Sequence, residues 1–409
     1  MGVLLWGFDA MPDAPTPPLY PAPLRPEIET LGTSGIAEVF DLGLGREDII
    51  RLWVGEGDQP TPDFICDAAT ASLRAGETFY PRKRGIPELC EALAGYTSGL
   101  YGVPMDSERI SITTSGMSAI CLALQAFLRP GEEVVVVGPV WPNIVAAVQI
   151  MGGRTAHVTL EPLPEGGFRL DLDRLFDACG DRTRAVFVNS PGNPSGWIMP
   201  AEDQKALLDF CRRRGLWLIS DEVYTRFVYH RPAAERPTAP SLLHLIEPED
   251  PVIIINSFSK TWFMTGWRLG WLIHPHSMAE TFDRLIEFSF SGTPPFLQRG
   301  AVAAIERGEP FAQEVIERCR VAGELVYQRL SALPRVRLAR PKGAFYAFFR
   351  LEGMEDSMAT AKALLESAKV GLAPGSAFGP GGEGHLRLCF AATTETLSEA
   401  LDRLEPALR

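Results

Sequence analysis

Short apolar runs recur along the chain between segments with helical periodicity, and this alternation limits the fold more than any other feature. Seven runs are rich in β-branched and aromatic residues: 109–113, 133–138, 155–160, 185–189, 216–220, 252–256 and 270–274. They are apolar on both faces, as strands of a parallel sheet are when helices cover both sides. Segments 118–128 and 201–214 have helical periodicity. The pattern predicts an α/β fold whose large domain has a seven-stranded, mostly parallel sheet covered by helices.

A chain of 409 residues is long for a single core, so we expect two domains in close contact. Residues 1–25 are proline-rich and predict an extended arm. Residues 61–292 carry the strand and helix alternation and form the predicted large domain. Residues 26–60 and 293–409 form a predicted smaller α+β domain, with strands in "RVRLARPKGAFYAFFRL" and "GHLRLCFA".

Charge and cysteine usage exclude several classes of function. The net charge of -12 argues against a nucleic-acid or anionic-membrane partner, because binding phosphates requires a basic face. The seven cysteines are scattered and lack metal-ligand spacing, which predicts reduced thiols and no metal site. The apolar N-terminus lacks the positive charge of a signal peptide, and no stretch is long enough to span a bilayer. We therefore expect a cytoplasmic protein. His274 and His276 are expected to be ordinary surface or turn residues.

Polar residues follow three of the predicted strands at the point where each ends. "SPGNPSG" follows 185–189, Asp221 and Tyr224 follow 216–220, and "SFSK" follows 252–256. Ligands of open α/β sheets bind beyond the carboxyl ends of the strands. The sequence therefore predicts one site that these three segments share.

Lys260 stands within "SFSKTWFMTGWRLGW" and is the residue of that site best suited to covalent chemistry. A free lysine has a pKa of about 10.4 and is a poor nucleophile at neutral pH unless desolvation or positive charge lowers that pKa. Arg268 supplies positive charge, and we expect Trp262, Phe263 and Trp267 to wall the pocket. Lys260 can then form an imine with a carbonyl compound.

Pyridoxal phosphate carries such a carbonyl, and the neighbouring residues match its other groups. The phosphate needs hydroxyls, an arginine and a helix N-terminus, which Ser257, Arg268 and the turn "TTSGMSAI" provide. Asp221 is suited to hold a proton on the pyridine nitrogen, and Asn193 and Tyr224 can donate to the phenolic oxygen. Taken alone, Lys260 is a surface lysine and Asp221 a helix cap; only their combination favours a cofactor site.

From about residue 50 to the C-terminus, the chain resembles fold-type-I pyridoxal-phosphate enzymes of the aspartate aminotransferase family, class I and II. The matching stretches are "LWVGEGDQPTP", "YPRKRGIPELCEAL", "TTSGMSAI", "NSPGNPSG", "SDEVY", "SFSKTWFMTGWRLGW" and "PGSAFGPGGEGHLRLCFA". They occur in the family's order and at its spacing, which is more specific than any one motif.

The resemblance implies a role for each matching residue of the cofactor site. Lys260 is the implied Schiff-base lysine and proton carrier, and Asp221 the partner of the pyridinium. The other implied cofactor ligands are Asn193 and Tyr224 at the phenolic oxygen, Trp141 stacked on the ring, and Ser257, Arg268 and the backbone amides of Ser115, Gly116 and Met117 at the phosphate. The Ser115 hydroxyl is expected to add a phosphate contact.

The resemblance also implies a substrate site and a partner subunit. Arg387 is similar to the arginine that clamps the substrate α-carboxylate, and Gly55 and Asn193 lie at positions that approach it. Tyr80 resembles the tyrosine that reaches the phosphate of the neighbouring subunit, which implies a homodimer with shared active sites.

The implied activity is transfer of an amino group from an L-amino acid to a 2-oxo acid by a ping-pong mechanism. Carbon-sulfur lyase or decarboxylase activity on the same fold remains an alternative, because the same cofactor serves those reactions. A transcription regulator is disfavoured because only a short proline-rich arm precedes the domain. Gly379, Gly381 and Gly384 satisfy GxGxxG, but the following "HLRLCFA" is typical of a strand, which excludes a nicotinamide site there.

The substrate side chain is less constrained by the sequence. Segment 287–295, "EFSFSGTPP", has no arginine or lysine where one branch of the family binds a second carboxylate. Arg82 or Arg84 are alternative cations for that purpose. We expect the aromatic residues Trp53, Trp141, Tyr346 and Phe378 to favour an apolar or aromatic side chain.

Overall fold

The computed structural model describes residues 23–164 and 166–409, so most of the arm predicted at 1–25 lies outside the described residues. The helices are α1 Pro26–Glu29, α2 Gly35–Gly43, α3 Asp63–Arg74, α4 Pro87–Tyr101, α5 Gly116–Phe127, α6 Asn143–Ile150, α7 Leu172–Asp177, α8 Ala201–Arg214, α9 Phe258–Thr261, α10 Ala279–Phe290, α11 Pro295–Arg307, α12 Glu309–Ser331, α13 Ser357–Ser367 and α14 Thr394–Leu408. The strands are β1 Ile50–Arg51, β2 Ile110–Thr113, β3 Glu133–Gly138, β4 Arg154–Thr159, β5 Glu161–Pro162, β6 Phe168–Arg169, β7 Thr183–Asn189, β8 Trp217–Asp221, β9 Val252–Ser257, β10 Gly270–Ile273, β11 Val336–Arg337, β12 Tyr346–Leu351, β13 Val370–Gly371, β14 Ala373–Pro374 and β15 His385–Cys389.

The main sheet contains seven strands in the described part of the chain, in the order β2-β10-β9-β8-β7-β3-β4. Each predicted run forms one of these strands, with ends shifted by at most two residues. β10 is antiparallel to both β2 and β9, whereas the pairs among β9, β8, β7, β3 and β4 are parallel. The predicted α/β fold with a mostly parallel sheet is therefore confirmed.

Both faces of this sheet are covered, which explains why its strands are continuously apolar. Along β3, Val134 and Val136 join one core with residues of α5, while Val135 and Val137 join the core on the opposite face. Successive side chains of a strand point to opposite faces, so a strand buried on both sides needs apolar residues at every position.

A third core lies around the antiparallel sheet β11-β12-β15-β14 and the helices α12 and α14. Phe349, Val326 and Leu401 are fully buried there. Tyr224, just after β8, belongs to this core too, so the end of β8 is packed against the antiparallel sheet. The domain boundaries predicted at residues 60 and 293 stay a prediction.

The carboxyl ends of the central strands bring the polar residues together. Asn189 at the end of β7 pairs in register with Asp221 at the end of β8, and β9 ends at Ser257. Gly270 lies opposite Ser257. A Cβ at Gly270 would lie 2.7 Å from the Gly116 nitrogen, so glycine allows the N-terminus of α5 to approach this edge.

Two further observations concern expectations from the sequence. No helix in 23–164 or 166–409 combines the length and apolar character needed to cross a membrane. The expectation that His274 is a surface or turn residue is wrong, because His274 is fully buried after β10 and lies 3.0 Å from the Ser111 hydroxyl. The buried segment continues one residue beyond the strand, and both imidazole nitrogens have hydrogen-bond partners inside the core.

Candidate active site

A cavity of about 270 Å³ lies at the carboxyl edge of the main sheet. Its lining includes most of the residues predicted from the sequence: Gly55, Gly116, Met117, Trp141, Asn193, Asp221, Tyr224, Ser257, Lys260, Arg268 and Arg387. They come from the ends of β8 and β9, the N-terminus of α5, strand β15 and the loops beside them. Residues far apart in sequence thus converge on one pocket.

Lys260 lies in the short helix α9, directly after β9, and its side chain extends into the cavity. Its Nζ donates a hydrogen bond of 2.6 Å to the carbonyl of Gly55. Burial lowers the pKa of Lys260 to about 8, and the positive charges of Arg387 and Arg268 add to this effect. The amine is therefore partly neutral near physiological pH, as a nucleophile or proton acceptor must be.

Asp221 presents a buried carboxylate to the same cavity and is 6% exposed. It accepts a hydrogen bond of 3.3 Å from the Val223 N–H, and burial raises its pKa to about 7. A turn, not a helix, follows it, so the alternative of a helix cap does not apply. A cationic donor placed in the cavity would restore the ionised form of this carboxylate.

Arg387 reaches the cavity from β15 and is 2% exposed. One terminal nitrogen donates to Asn193 Oδ1 at 2.9 Å and the other donates to the Trp53 carbonyl. Its buried Nε has no hydrogen-bond partner among the described residues. Because Asn193 Oδ1 accepts from Arg387, the amide nitrogen of Asn193 is left as a donor.

The N-terminus of α5 borders the cavity through Gly116 and Met117. Ser115 is the N-cap, and its hydroxyl accepts a hydrogen bond of 3.0 Å from the Ser118 N–H. Ser115 is not among the residues that line the cavity, and its hydroxyl caps the helix; the expected phosphate contact stays a prediction. The Ser257 hydroxyl similarly caps α9 by accepting from the Ser259 N–H at 3.1 Å.

The expected aromatic walls around Lys260 are wrong. Trp262 packs against Phe258 in the core below the sheet, with ring centroids 5.2 Å apart. Phe263 and Trp267 face a separate surface groove. The chain turns after α9, so residues adjacent to Lys260 in sequence point away from it. The aromatic residues that do line the cavity are Trp53, Trp141, Tyr224 and Tyr346.

Two other predicted residues lie outside the cavity of this chain. Phe378 is buried behind Arg387, with its ring centroid 5.0 Å from the guanidinium carbon. Tyr80 is 90% exposed and is not brought to the pocket. The exposure of Tyr80 is consistent with a contact to a second subunit, which stays a prediction.

The sequence reasoning missed one residue that organises the site and gave another only a packing role. Asn189 lines the cavity, donates to the Asp221 carbonyl at 3.1 Å and accepts from the Asn193 N–H at 2.7 Å. A polar residue that ends an otherwise apolar strand was the available signal. Tyr346 was noted only as an aromatic wall, although its hydroxyl lies 2.7 Å from that of Tyr224. No local sequence signal marks it.

The residues present fit pyridoxal phosphate. The pocket combines an amine of lowered pKa, a buried carboxylate of raised pKa and the N-terminus of a helix. These groups match a carbonyl, a basic ring nitrogen and an anionic group, respectively. Arg387 lines the same cavity, and its positive charge suits an anion such as a carboxylate.

Comparison with known proteins gives a consistent assignment. The sequence model described as "Aminotransferase class I and II" matches residues 47–404. The chain is 35% identical to an aspartate aminotransferase of Pyrococcus abyssi, covering 93% of this chain and 97% of the relative. It is 36% identical to aromatic-amino-acid aminotransferase 2 of Thermococcus litoralis, covering 94% of this chain and 98% of the relative.

Solved structures agree. An aspartate aminotransferase from Thermotoga maritima superimposes with a TM-score of 0.86 at 32% identity, covering 94% of this chain and 100% of that one. An aromatic aminotransferase from Pyrococcus horikoshii gives 0.82 at 33% identity, covering 91% and 98%. The architecture is therefore that of fold-type-I transferases.

Within that class, the chain belongs to the class I and II aminotransferase family, whose members generally use pyridoxal phosphate. It is an aminotransferase, as the resemblance implied. The relatives do not favour the alternative of a carbon-sulfur lyase or decarboxylase.

Proposed function

We propose that this protein transfers the amino group of an L-amino acid to a 2-oxo acid by a ping-pong mechanism, with pyridoxal phosphate held by Lys260. The observation that carries the proposal is the pairing, in one pocket, of a lysine of lowered pKa with a buried carboxylate of raised pKa. Burial disfavours the charged form of each group when it is alone. A cofactor that bonds to the lysine and places a protonated ring nitrogen beside the carboxylate gives both groups a function.

The other cofactor contacts follow from the lining of the pocket. Asp221 would pair with the ring nitrogen, Tyr224 and the Asn193 amide would donate to the phenolic oxygen, and Trp141 would stack on the ring. Ser257, Arg268 and the backbone amides at 115–117 would hold the phosphate at the N-terminus of α5. The bound cofactor supplies an electron sink that stabilises negative charge at the substrate α-carbon.

The protein's own groups supply binding and proton transfer. Arg387 would bind the substrate α-carboxylate through its guanidinium, which Asn193 and the Trp53 carbonyl already hold in place. Lys260 Nζ would accept the proton of the substrate α-carbon and return it at the cofactor carbon. A pKa near 8 lets the amine hold or release a proton near neutral pH. Gly55, whose carbonyl accepts from Lys260, would orient the amine.

Initial-rate kinetics test the mechanism. With amino acid and oxo acid varied together, double-reciprocal plots should give parallel lines, because the first product leaves before the second substrate binds. Intersecting lines would contradict the ping-pong proposal.

We further propose an apolar or aromatic substrate side chain. Trp53, Trp141 and Tyr346 are joined in the cavity lining by Ile36 and Val54, and these supply apolar surface beside the reacting groups. A relative from Thermococcus litoralis is named for aromatic amino acids, whereas the one from Pyrococcus abyssi is named for aspartate. The test compares kcat/KM for phenylalanine, leucine and aspartate; higher activity with aspartate than with the other two would refute the proposed side chain.

We propose a homodimer in which Tyr80 reaches the phosphate site of the neighbouring subunit. Tyr80 and Phe79 are 90% and 83% exposed, and Phe288 on α10 is 84% exposed. Lys83 Nζ donates a hydrogen bond of 2.6 Å to Glu287 Oε2, which connects the loop after Tyr80 to α10. Exposed aromatic residues on connected segments are typical of a subunit interface.

We propose a cytoplasmic location on the basis of cysteine chemistry. All seven cysteines are free thiols, four of them buried. Free buried thiols in a chain with this many cysteines are typical of a reducing compartment. Fractionation of the source cells with an activity assay tests the proposal; activity confined to a membrane or secreted fraction would refute it.

A further inference from the structure

Tyr346 lines the cavity, and so far only its ring has a proposed role, as apolar surface for the substrate. It is the first residue of β12, pairs in register with Cys389 of β15 and is 2% exposed. Its ring centroid lies 4.6 Å from the guanidinium carbon of Arg387. The Tyr346 ring thus contacts the Arg387 guanidinium, which is proposed to bind the substrate carboxylate.

The hydroxyl of Tyr346 is held in a fixed position. It lies 2.7 Å from the hydroxyl of Tyr224. On its other side is Gly55, where a Cβ would come within 2.0 Å of the Tyr346 hydroxyl oxygen. Only glycine at position 55 leaves room for that oxygen, and the same residue accepts the hydrogen bond from Lys260. The hydroxyl pair is therefore built into the pocket.

Each tyrosine hydroxyl has one hydrogen, so only one of the pair donates to the other. In the proposed function Tyr224 donates its hydrogen to the phenolic oxygen of the cofactor. Tyr224 must then accept from Tyr346, and the chain of donors runs from Tyr346 to Tyr224 to the cofactor. Accepting a hydrogen bond makes a hydroxyl a stronger donor.

We propose that Tyr346 is a positioning residue with two separable parts: its hydroxyl directs the Tyr224 hydroxyl toward the cofactor, and its ring orients the Arg387 guanidinium. This inference rests on the proposed function. The hydroxyl would act on the ionisation of the bound cofactor, and the ring would act on binding of the substrate carboxylate.

The surroundings of the two hydroxyls keep both phenols protonated, as a chain of donors requires. Arg387 and Cys389 on β15 and Asp221 on β8 surround the pair, and Lys260 Nζ lies 5.8 Å from the Tyr224 ring. Burial raises the pKa of both phenols well above their ordinary value. Both hydroxyls therefore keep their hydrogens across the working pH range and remain donors.

The hydroxyl is tested with Tyr346→Phe by titrating the visible absorbance of the holoenzyme with pH. Loss of the donor weakens the bond from Tyr224 to the ionised phenolic oxygen, so the midpoint should rise by about half a pH unit. The matched control is Tyr229→Phe, which removes the hydroxyl of a partly buried tyrosine that donates to the Ala344 carbonyl. Its midpoint should equal that of the wild type.

A second variant, Gly55→Ala, reaches the same hydroxyl from the other side. Its methyl group would displace the Tyr346 oxygen, so the midpoint should again rise. This variant keeps the test available if Tyr346→Phe folds poorly.

The ring is tested with Tyr346→Leu and Phe378→Leu, since both rings lie against Arg387. Each should raise KM for the amino acid by about five-fold through loss of the cation–π contact. Phe378→Leu should leave the absorbance midpoint unchanged, whereas Tyr346→Leu should shift both quantities.

The outcomes separate this inference from the proposed function. A wild-type protein that gives no visible band with pyridoxal phosphate contradicts the proposed function and this inference with it. A wild-type band with an unshifted midpoint in Tyr346→Phe, or with an equal shift in Tyr229→Phe, overturns the role of the Tyr346 hydroxyl alone. Unchanged KM in Tyr346→Leu overturns the role of its ring.

Discussion

Burial changes the acid–base behaviour of the two charged groups at the centre of the pocket in opposite directions. The pKa of Lys260 is lowered to about 8 and that of Asp221 is raised to about 7. In each case the neutral form gains from removal of water, because a charge in a low-dielectric environment is poorly solvated. Without a cofactor the pocket therefore holds two groups that titrate near neutral pH.

A first prediction concerns the rate at which the cofactor attaches to Lys260. The attacking amine must be neutral, and its neutral fraction grows as pH rises toward its lowered pKa. The rate of band formation should rise through about pH 8, where half of the amine is neutral, and level off above about pH 9. Stopped-flow absorbance measures this rate. A rate that keeps rising toward about pH 10 would indicate an ordinary lysine.

A second prediction concerns Glu222, which is 1% exposed and accepts hydrogen bonds from Ser241 at 2.6 Å and Ser220 at 2.9 Å. Burial raises its pKa to about 7, so the folded chain holds this proton more tightly than the unfolded chain. Stability then falls as pH rises from about 4 to about 7. Glu222→Gln should reduce the slope of Tm against pH in the cofactor-free protein.

Asp221 contributes to the same slope for the same reason, so Asp221→Asn serves as the comparison. Each variant should remove part of the dependence, and the double variant should remove more than either. An unchanged slope in Glu222→Gln would show that this carboxyl is not protonated in the folded protein.

At the scale of elements, the N-terminus of α5 depends on a cap. The Ser115 hydroxyl accepts from the Ser118 N–H at 3.0 Å and holds the first turn of α5 beside Gly270. We predict that Ser115→Ala lowers the free energy of unfolding by about 1 kcal/mol and weakens cofactor binding. Ser115→Thr keeps a hydroxyl and should retain both properties. Denaturant unfolding and fluorescence titration measure the two quantities, and equal stability of the two variants would refute the cap.

The elements of the fold were predictable to different degrees. The apolar runs identified every strand of the main sheet because a strand buried on both faces has no other sequence pattern. The antiparallel direction of β10 was not predictable, since an apolar run such as "GWLI" at 270–273 suits a parallel and an antiparallel strand equally. Pairing direction depends on the path of the chain between β9 and β10, which short-range patterns do not contain.

The site was predictable where its residues stand at strand ends. Asp221, Ser257 and Lys260 follow apolar runs, so their position at the edge of the sheet follows from the fold. The direction of a side chain within a turn is not encoded so locally, which is why Trp262 was misplaced beside Lys260. Tyr346 begins a buried strand of the antiparallel sheet, and its neighbours give it the appearance of an ordinary core residue.

At the scale of the whole molecule, the proposed dimer makes each active site depend on two chains. We predict that Tyr80→Ala and Lys260→Ala dimers are each poorly active alone. Mixed and reassembled, they should recover about a quarter of wild-type activity, because half of the dimers are mixed and each mixed dimer has one complete site.

Subunit exchange is confirmed by size-exclusion chromatography of differently tagged chains. Absence of recovered activity despite demonstrated exchange would refute the contribution of Tyr80 to the neighbouring site. A monomer under all conditions would refute the shared site altogether.

The central claim is tested most directly by following the visible absorbance of the purified holoenzyme through a half-reaction and back. Addition of an amino acid should shift the visible band to the near-ultraviolet, and addition of a 2-oxo acid should restore it, with Lys260→Ala showing no such cycle. A band that forms but never completes this cycle with any amino acid, while pyruvate or carbon dioxide accumulates, would contradict the account.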